Sequence, residues 1–130
     1  MTDLKLLESI YNMYYEDYLK KANMRVSTIF VPINLDLIAQ KLNSNPTTIH
    51  GRLHSHLNRR YNYSKRNSAD NSIITLFSYI PDEDSYCINF PYLTGIIADL
   101  KNEDKKFKQS IILSIIAVVM SAISIFLKYI

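Results

Sequence analysis

Between Asp36 and Asp70 the chain carries no acidic residue, while the same window holds Lys41, Arg52, Arg59, Arg60, Lys65, Arg66 and all three histidines, His50, His54 and His56. The formal charge of the whole chain is only +3, so the cations are concentrated rather than abundant. A local positive field of this kind attracts phosphate-rich partners, and arginine adds a planar fork that bonds guanine edges and phosphate oxygens. The histidines raise a different chemistry, metal binding. His50 and His54 stand one helical turn apart and share a face, whereas His54 and His56 do not. No cysteine or carboxylate lies near them in sequence to complete a zinc site, so they read as ordinary helix histidines and no metal is expected. His56 is expected to lean toward the core and to find a local hydrogen-bond partner.

No catalytic constellation is visible. There is no Gly-rich phosphate loop, no nucleophile elbow and no carboxylate pair in an apolar setting, so the chain reads as a non-enzyme without a cofactor. The single cysteine, Cys87, excludes an intrachain disulfide and reads as a small buried strand residue. The 130 residues suffice for one small domain and an appendage. No N-terminal signal peptide is expected, because Asp3, Lys5 and Glu8 interrupt any apolar run.

The elements that would position the basic window follow from apolar spacing. Residues 4–20 predict a helix, with Leu4, Leu7, Ile10, Tyr14 and Tyr18 inward and Thr2 or Asp3 capping it. Tyr11 and Tyr15 widen its apolar face, either to pack on the last helix of the same domain, the preferred reading, or to meet a protein partner. Residues 26–33 predict a short outer strand containing Pro32. Asn34 then caps a helix that buries Leu35, Ile38, Ala39 and Leu42. Asn45 and Pro46 open a second helix running to about Tyr63, with Ile49, Leu53 and Leu57 inside. The stretch "YSKRNSADNS" predicts a loop. "SIITLFSYI" and "SYCINF", joined by "PDED", predict a hairpin, and Pro91 starts a last helix that buries Leu93, Ile96, Ile97 and Leu100.

The order of these elements, and the run "IAQKLNSNPTTIHGRL", resemble a winged helix-turn-helix domain over residues 4–100. Ile38, Ala39, Leu42, Thr48, Ile49 and Leu53 match the family pattern, and Asn43 stands where many members carry glycine. The expected fold is mainly α with a small β-hairpin or sheet (α+β), followed by a C-terminal transmembrane helix. The resemblance implies that the outer face of the second helix enters a DNA major groove. At 100° per residue that face carries Thr47, Gly51, His54, Ser55 and Asn58, with Thr48, Arg52 and Arg59 along one flank. Arg60, Lys65 and Arg66 would meet the phosphate backbone. Gly51 costs about 1 kcal/mol against alanine in a helix interior, as a close approach would require. The acidic turn Asp82, Glu83, Asp84 argues the other way, since a wing tip of that charge repels phosphate.

The end of the sequence, "SIILSIIAVVMSAISIFLKYI", is of another kind. From 111 to 127 there is no charge, proline or glycine. As a helix, 110–127 is roughly 27 Å long, against a hydrocarbon core of about 30 Å. Lys105, Lys106 and Lys108 precede it and only Lys128 follows, so the positive-inside rule places 1–109 on the cytoplasmic side. The expected organisation is a domain at 1–100, a basic helical stalk at 101–109 and a single-pass, tail-anchoring span at 110–130. Ser110, Ser114, Ala117, Ser121 and Ser124 form one stripe of small residues, expected to pair helices into a homo-oligomer.

Two functions follow as expectations. The first is a membrane-tethered, DNA-binding transcriptional regulator. The second is a protein-sensing winged helix, docking through Tyr11, Tyr15 or the acidic turn, whose oligomerising span is the effector, as in a membrane-disrupting toxin or phage-defence component. A third use of the basic face, against anionic lipid, is also open.

Overall fold

The computed structural model describes residues 2–20, 29–64 and 73–130. Lys65 and Arg66, and the 26–28 part of the expected first strand, lie outside the described residues. The chain divides into two compact units, Met1–Ile97 and Ala98–Ile130.

In the first unit α1 spans Asp3–Lys20. Thr2 caps it: its Oγ1 accepts from the Lys5 N–H at 3.2 Å. Leu6, Leu7, Ile10 and Tyr14 face the core, so Leu6 takes the inward place expected for Leu4, which is only half-buried. β1 (Phe30–Pro32) leads to α2 (Leu35–Lys41), capped by Asn34, whose side chain accepts from the Asp36 and Leu37 N–H groups at 2.9 and 3.2 Å. The break after α2 turns on Asn43, whose φ of 52° lies in the left-handed region that asparagine tolerates. Asn45 then caps α3 (Pro46–Gly51) through the Thr47 N–H at 2.8 Å, with Pro46 in the first turn, where its missing N–H costs nothing.

Beyond Gly51 the helix changes winding. Arg52–Leu57 is π-helical, and α4 (Asn58–Tyr61) completes the rod. β2 (Tyr63–Ser64) pairs with β3 (Ile73–Ile74), a ladder that sequence spacing does not predict. β4 (Phe77–Ile80) and β5 (Ser85–Asn89) form the expected hairpin around a 3-10 turn, Pro81–Glu83, closed by Asp84 at φ 47°. The sheet order is β1-β5-β4, all antiparallel, with Val31 opposite Ile88 and Phe77 on its other side. β1 is an outer strand, as Pro32 requires.

Asn89 caps α5 (Phe90–Tyr129), accepting from the Tyr92 N–H at 3.2 Å, so the helix starts one residue before Pro91. Phe90 is buried, and the rings of Tyr11, Tyr15 and Tyr18 gather on it at 5.4, 6.4 and 4.6 Å. The α1 tyrosines therefore pack on the first residue of the last helix. Ile38, Ile49, Leu53, Leu57, Leu76, Ile88 and Leu93 complete a core with no exposed surface. Each such side chain contributes about 1.5–3 kcal/mol by leaving water. Leu42, expected there, is only half-buried.

In the second unit every residue from 101 to 130 is exposed. α5 contains an 18-residue window of mean hydropathy 2.7, none of it buried, and is long and apolar enough to cross a membrane. The serine hydroxyls are already engaged: Ser114, Ser121 and Ser124 donate to the carbonyls of Ser110, Ala117 and Met120, each at 2.9 Å. These bonds lie within the helix rather than across to a neighbour.

Candidate nucleic-acid interface

The rod from Pro46 to Tyr61 carries most of the predicted contact residues. Ile49, Leu53 and Leu57 fix its inner side against the sheet and α2. Thr47, Thr48, His54, Ser55, Arg59 and Arg60 are exposed on the remainder, and no acidic side chain lies on it. The Arg60 guanidinium sits 5.2 Å from the centre of the Tyr61 ring, which orients it.

Gly51 is ordinary helix, and a Cβ added there would meet no atom within 4 Å. The fold itself has no need of glycine at this position.

Asn58 is a correction. Counting 100° per residue places it outward, but the π-helical winding bonds its N–H to the Leu53 carbonyl, five residues back. A wider turn rotates each residue less, so Asn58 arrives beside Leu57 and is buried. Both ends of its amide bond one residue of β4. Nδ2 donates to the Phe77 carbonyl at 2.6 Å, and the Phe77 N–H donates to Oδ1 at 2.9 Å. It locks the rod to the hairpin, and only 8% of the residue is exposed.

Arg52 and His56 are tied by a residue from far away in sequence. Arg52 Nη2 lies 3.0 Å from Asp3 Oδ1, and His56 Nε2 lies 3.1 Å from Asp3 Oδ2. Oδ1 is buried and held by the arginine charge rather than by an aligned hydrogen bond. His56 is exposed, and its partner comes from α1, so the expected inward lean and local partner are both overturned. Asp3 was visible in the sequence only as a cap. Its role as the counter-charge of the rod depends on tertiary folding and leaves no local signal.

His50 points its ring into an aromatic cluster, 5.0 Å from Tyr86 and 5.8 Å from Phe77, nearly edge-on to both. Phe77 and Tyr86 stack at 5.0 Å. His54 meets His50 edge-on at 5.4 Å. Among the described residues no three of His, Cys, Asp and Glu gather to hold a metal ion.

At the hairpin turn Asp82 and Asp84 are exposed. The Tyr79 hydroxyl donates to Asp84 Oδ1 at 2.6 Å, which pushes the Tyr79 phenol above its ordinary value and fixes the carboxylate. The turn is therefore an ordered anionic feature. Cys87 is buried, and burial pushes its thiol up, which keeps it protonated and unreactive.

No protein family, no curated protein and no solved structure matches this chain.

Proposed function

We propose that this chain is a membrane-anchored winged-helix protein that binds DNA through the outward side of its α3 rod and acts as a tethered transcriptional regulator. The sheet order β1-β5-β4, with two short helices and the Asn43 turn between its first and second strands, supports the winged-helix assignment. The observation that carries the function is the acid-free face of Thr47, Thr48, Ser55 and Arg59 around the open position at Gly51. The long apolar helix supplies the anchor, and the lysines at 105, 106 and 108 favour the cytoplasmic side for the N-terminal unit.

The test is duplex binding by the full chain in zwitterionic nanodiscs, titrated with salt. A protein that neutralises phosphates loses affinity steeply, with a slope of about −0.9 per phosphate in log–log form, and Arg59→Ala lowers that slope by about one. Gly51→Ala should stabilise the fold by up to about 1 kcal/mol and still weaken binding. Absence of salt-dependent binding to any duplex would remove the proposal.

The acidic turn favours a second reading, in which the winged helix docks a basic protein partner and the membrane helix is the effector. Cells expressing the full chain would then depolarise, and cells expressing a form with charges placed in the span would not. Harmless expression of inserted, full-length protein would exclude that reading.

A further inference from the structure

We propose that the cleft between the π-helical segment and the β4–β5 hairpin binds an unpaired nucleobase, with the adjoining phosphate at Arg59. This rests on the nucleic-acid reading above and goes beyond its duplex to a nucleotide whose base is free. The cleft has a volume of about 430 Å³, within the roughly 300–1,000 Å³ of small-molecule sites. Its lining includes the half-buried Tyr86 ring, which stacks on the buried Phe77, with His50 edge-on to both. Its rim holds His54, Asn62 and Thr75, none of whose side chains makes a hydrogen bond or ion pair among the described residues. Base faces stack on aromatic rings, and base edges need donors and acceptors beside them. This site offers both within one hollow.

A second hollow, also about 430 Å³, shares His54, Asn58 and Asn62 with the first and extends to Ser55 and Arg59. A continuous groove thus runs from the rings to a guanidinium with no carboxylate partner among the described residues. Charge sets its direction. Asp84 is held against Tyr79 at the ring end, and Arg59 stands at the other, so phosphate is repelled from the first and drawn to the second. A paired base cannot enter, because its faces are covered by its neighbours in the stack. The ligand is therefore a nucleotide with a free base, either as a monomer or within a single strand.

The three histidines provide the readout. His50 and His54 line the cleft, and His56 is held by Asp3 and does not line it. The full chain in zwitterionic nanodiscs would be titrated with a mononucleotide, a short oligodeoxythymidylate and a duplex, following the imidazole proton resonances. The expected result is movement of His50 and His54 but not His56 with the oligonucleotide. Movement with the mononucleotide as well assigns a free nucleotide as ligand, and movement with the strand alone assigns the polymer. Tyr86→Leu should weaken binding about tenfold, the loss of one stacked base. His54→Ala, at an exposed position, tests the same site without touching the core, and Arg59→Ala should weaken the oligonucleotide with the base-induced shifts retained. Duplex binding with His50 and His54 unmoved would overturn the cleft and leave the duplex reading standing. Binding unaffected by both His54→Ala and Tyr86→Leu would overturn it too, as would shifts produced by an aromatic peptide and by no nucleotide. No binding of any nucleic acid would overturn both readings.

Discussion

Leucine, isoleucine and valine dominate both units, yet they meet water differently. In Met1–Ile97 the side chains of Leu53, Leu57 and Ile88 have no exposed surface, while in Ala98–Ile130 Leu113, Val118 and Leu127 are 67%, 69% and 66% exposed. The first unit satisfies its apolar residues with one another, so position and shape matter at every site. The second offers them outward all round, so what matters is that no charged group interrupts the run. A soluble surface helix keeps one charged or strongly polar side, and residues 111–127 offer only serines. Similar apolar side chains are thus packed on one another in the first unit and left outward in the second, in a helix long and apolar enough to cross a membrane.

That contrast is open to direct attack. The largest effect belongs to charge in the apolar run. Ile115→Arg together with Val118→Arg should cost about 2.5–3.5 kcal/mol each near the centre of a span. Flotation and carbonate extraction should find the wild-type chain with membranes and the double variant released. Retention of the double variant would show that the run is not held by lipid.

Next comes a matched pair of truncations. Leu53→Ala should lower stability by about 3 kcal/mol, through lost burial and the cavity left behind. Ile115→Ala should leave the denaturation midpoint of the first unit unchanged. Denaturant titration of both in detergent reads the difference, and equal losses would show that the two units do not differ as described.

Asn58→Ala leaves the buried Phe77 N–H and carbonyl without partners and should cost about 2 kcal/mol. Because its amide is turned away from the outer face, duplex affinity per folded molecule should stay within about twofold of wild type. A loss of affinity larger than the loss of folded protein would return Asn58 to the interface.

The smallest effect concerns Tyr14, whose hydroxyl accepts from the Asn34 N–H at 2.7 Å. Tyr14→Phe should cost about 1 kcal/mol. Burial pushes this phenol above its ordinary value near 10. The fold thus favours the protonated form: the contribution is whole below the unfolded-state value and is lost as pH rises through the folded one. Alkaline unfolding followed by circular dichroism should set in above pH 10, and less of it should remain in Tyr14→Phe.

What sequence reading reached, it reached through local rules. Asn34 and Asn45 announce helix starts because their side chains satisfy N–H groups within three residues. Asn43 and the "PDED" turn show themselves because few residue types accept their backbone conformations. The apolar span is legible from composition alone. What it missed is non-local. The π-helical stretch was invisible to a fixed rotation of 100° per residue, and that error moved Asn58 to the wrong side. Asp3 reaches His56 across 53 positions, and the β2–β3 ladder joins two segments whose own patterns predict only a loop and the start of a longer strand. For the candidate interface, the basic and hydroxyl residues were identifiable by type, but their freedom or engagement was decided by partners on other elements.

The fork between Asn58 and Phe77 has one more consequence. β4 lies at the margin of its sheet, where an open strand is a template for recruiting another chain. Confinement to a lipid surface would raise the frequency of such encounters by crowding copies into two dimensions. A side-chain amide already seated on the Phe77 rung occupies the donor and acceptor that an added strand would need at that position.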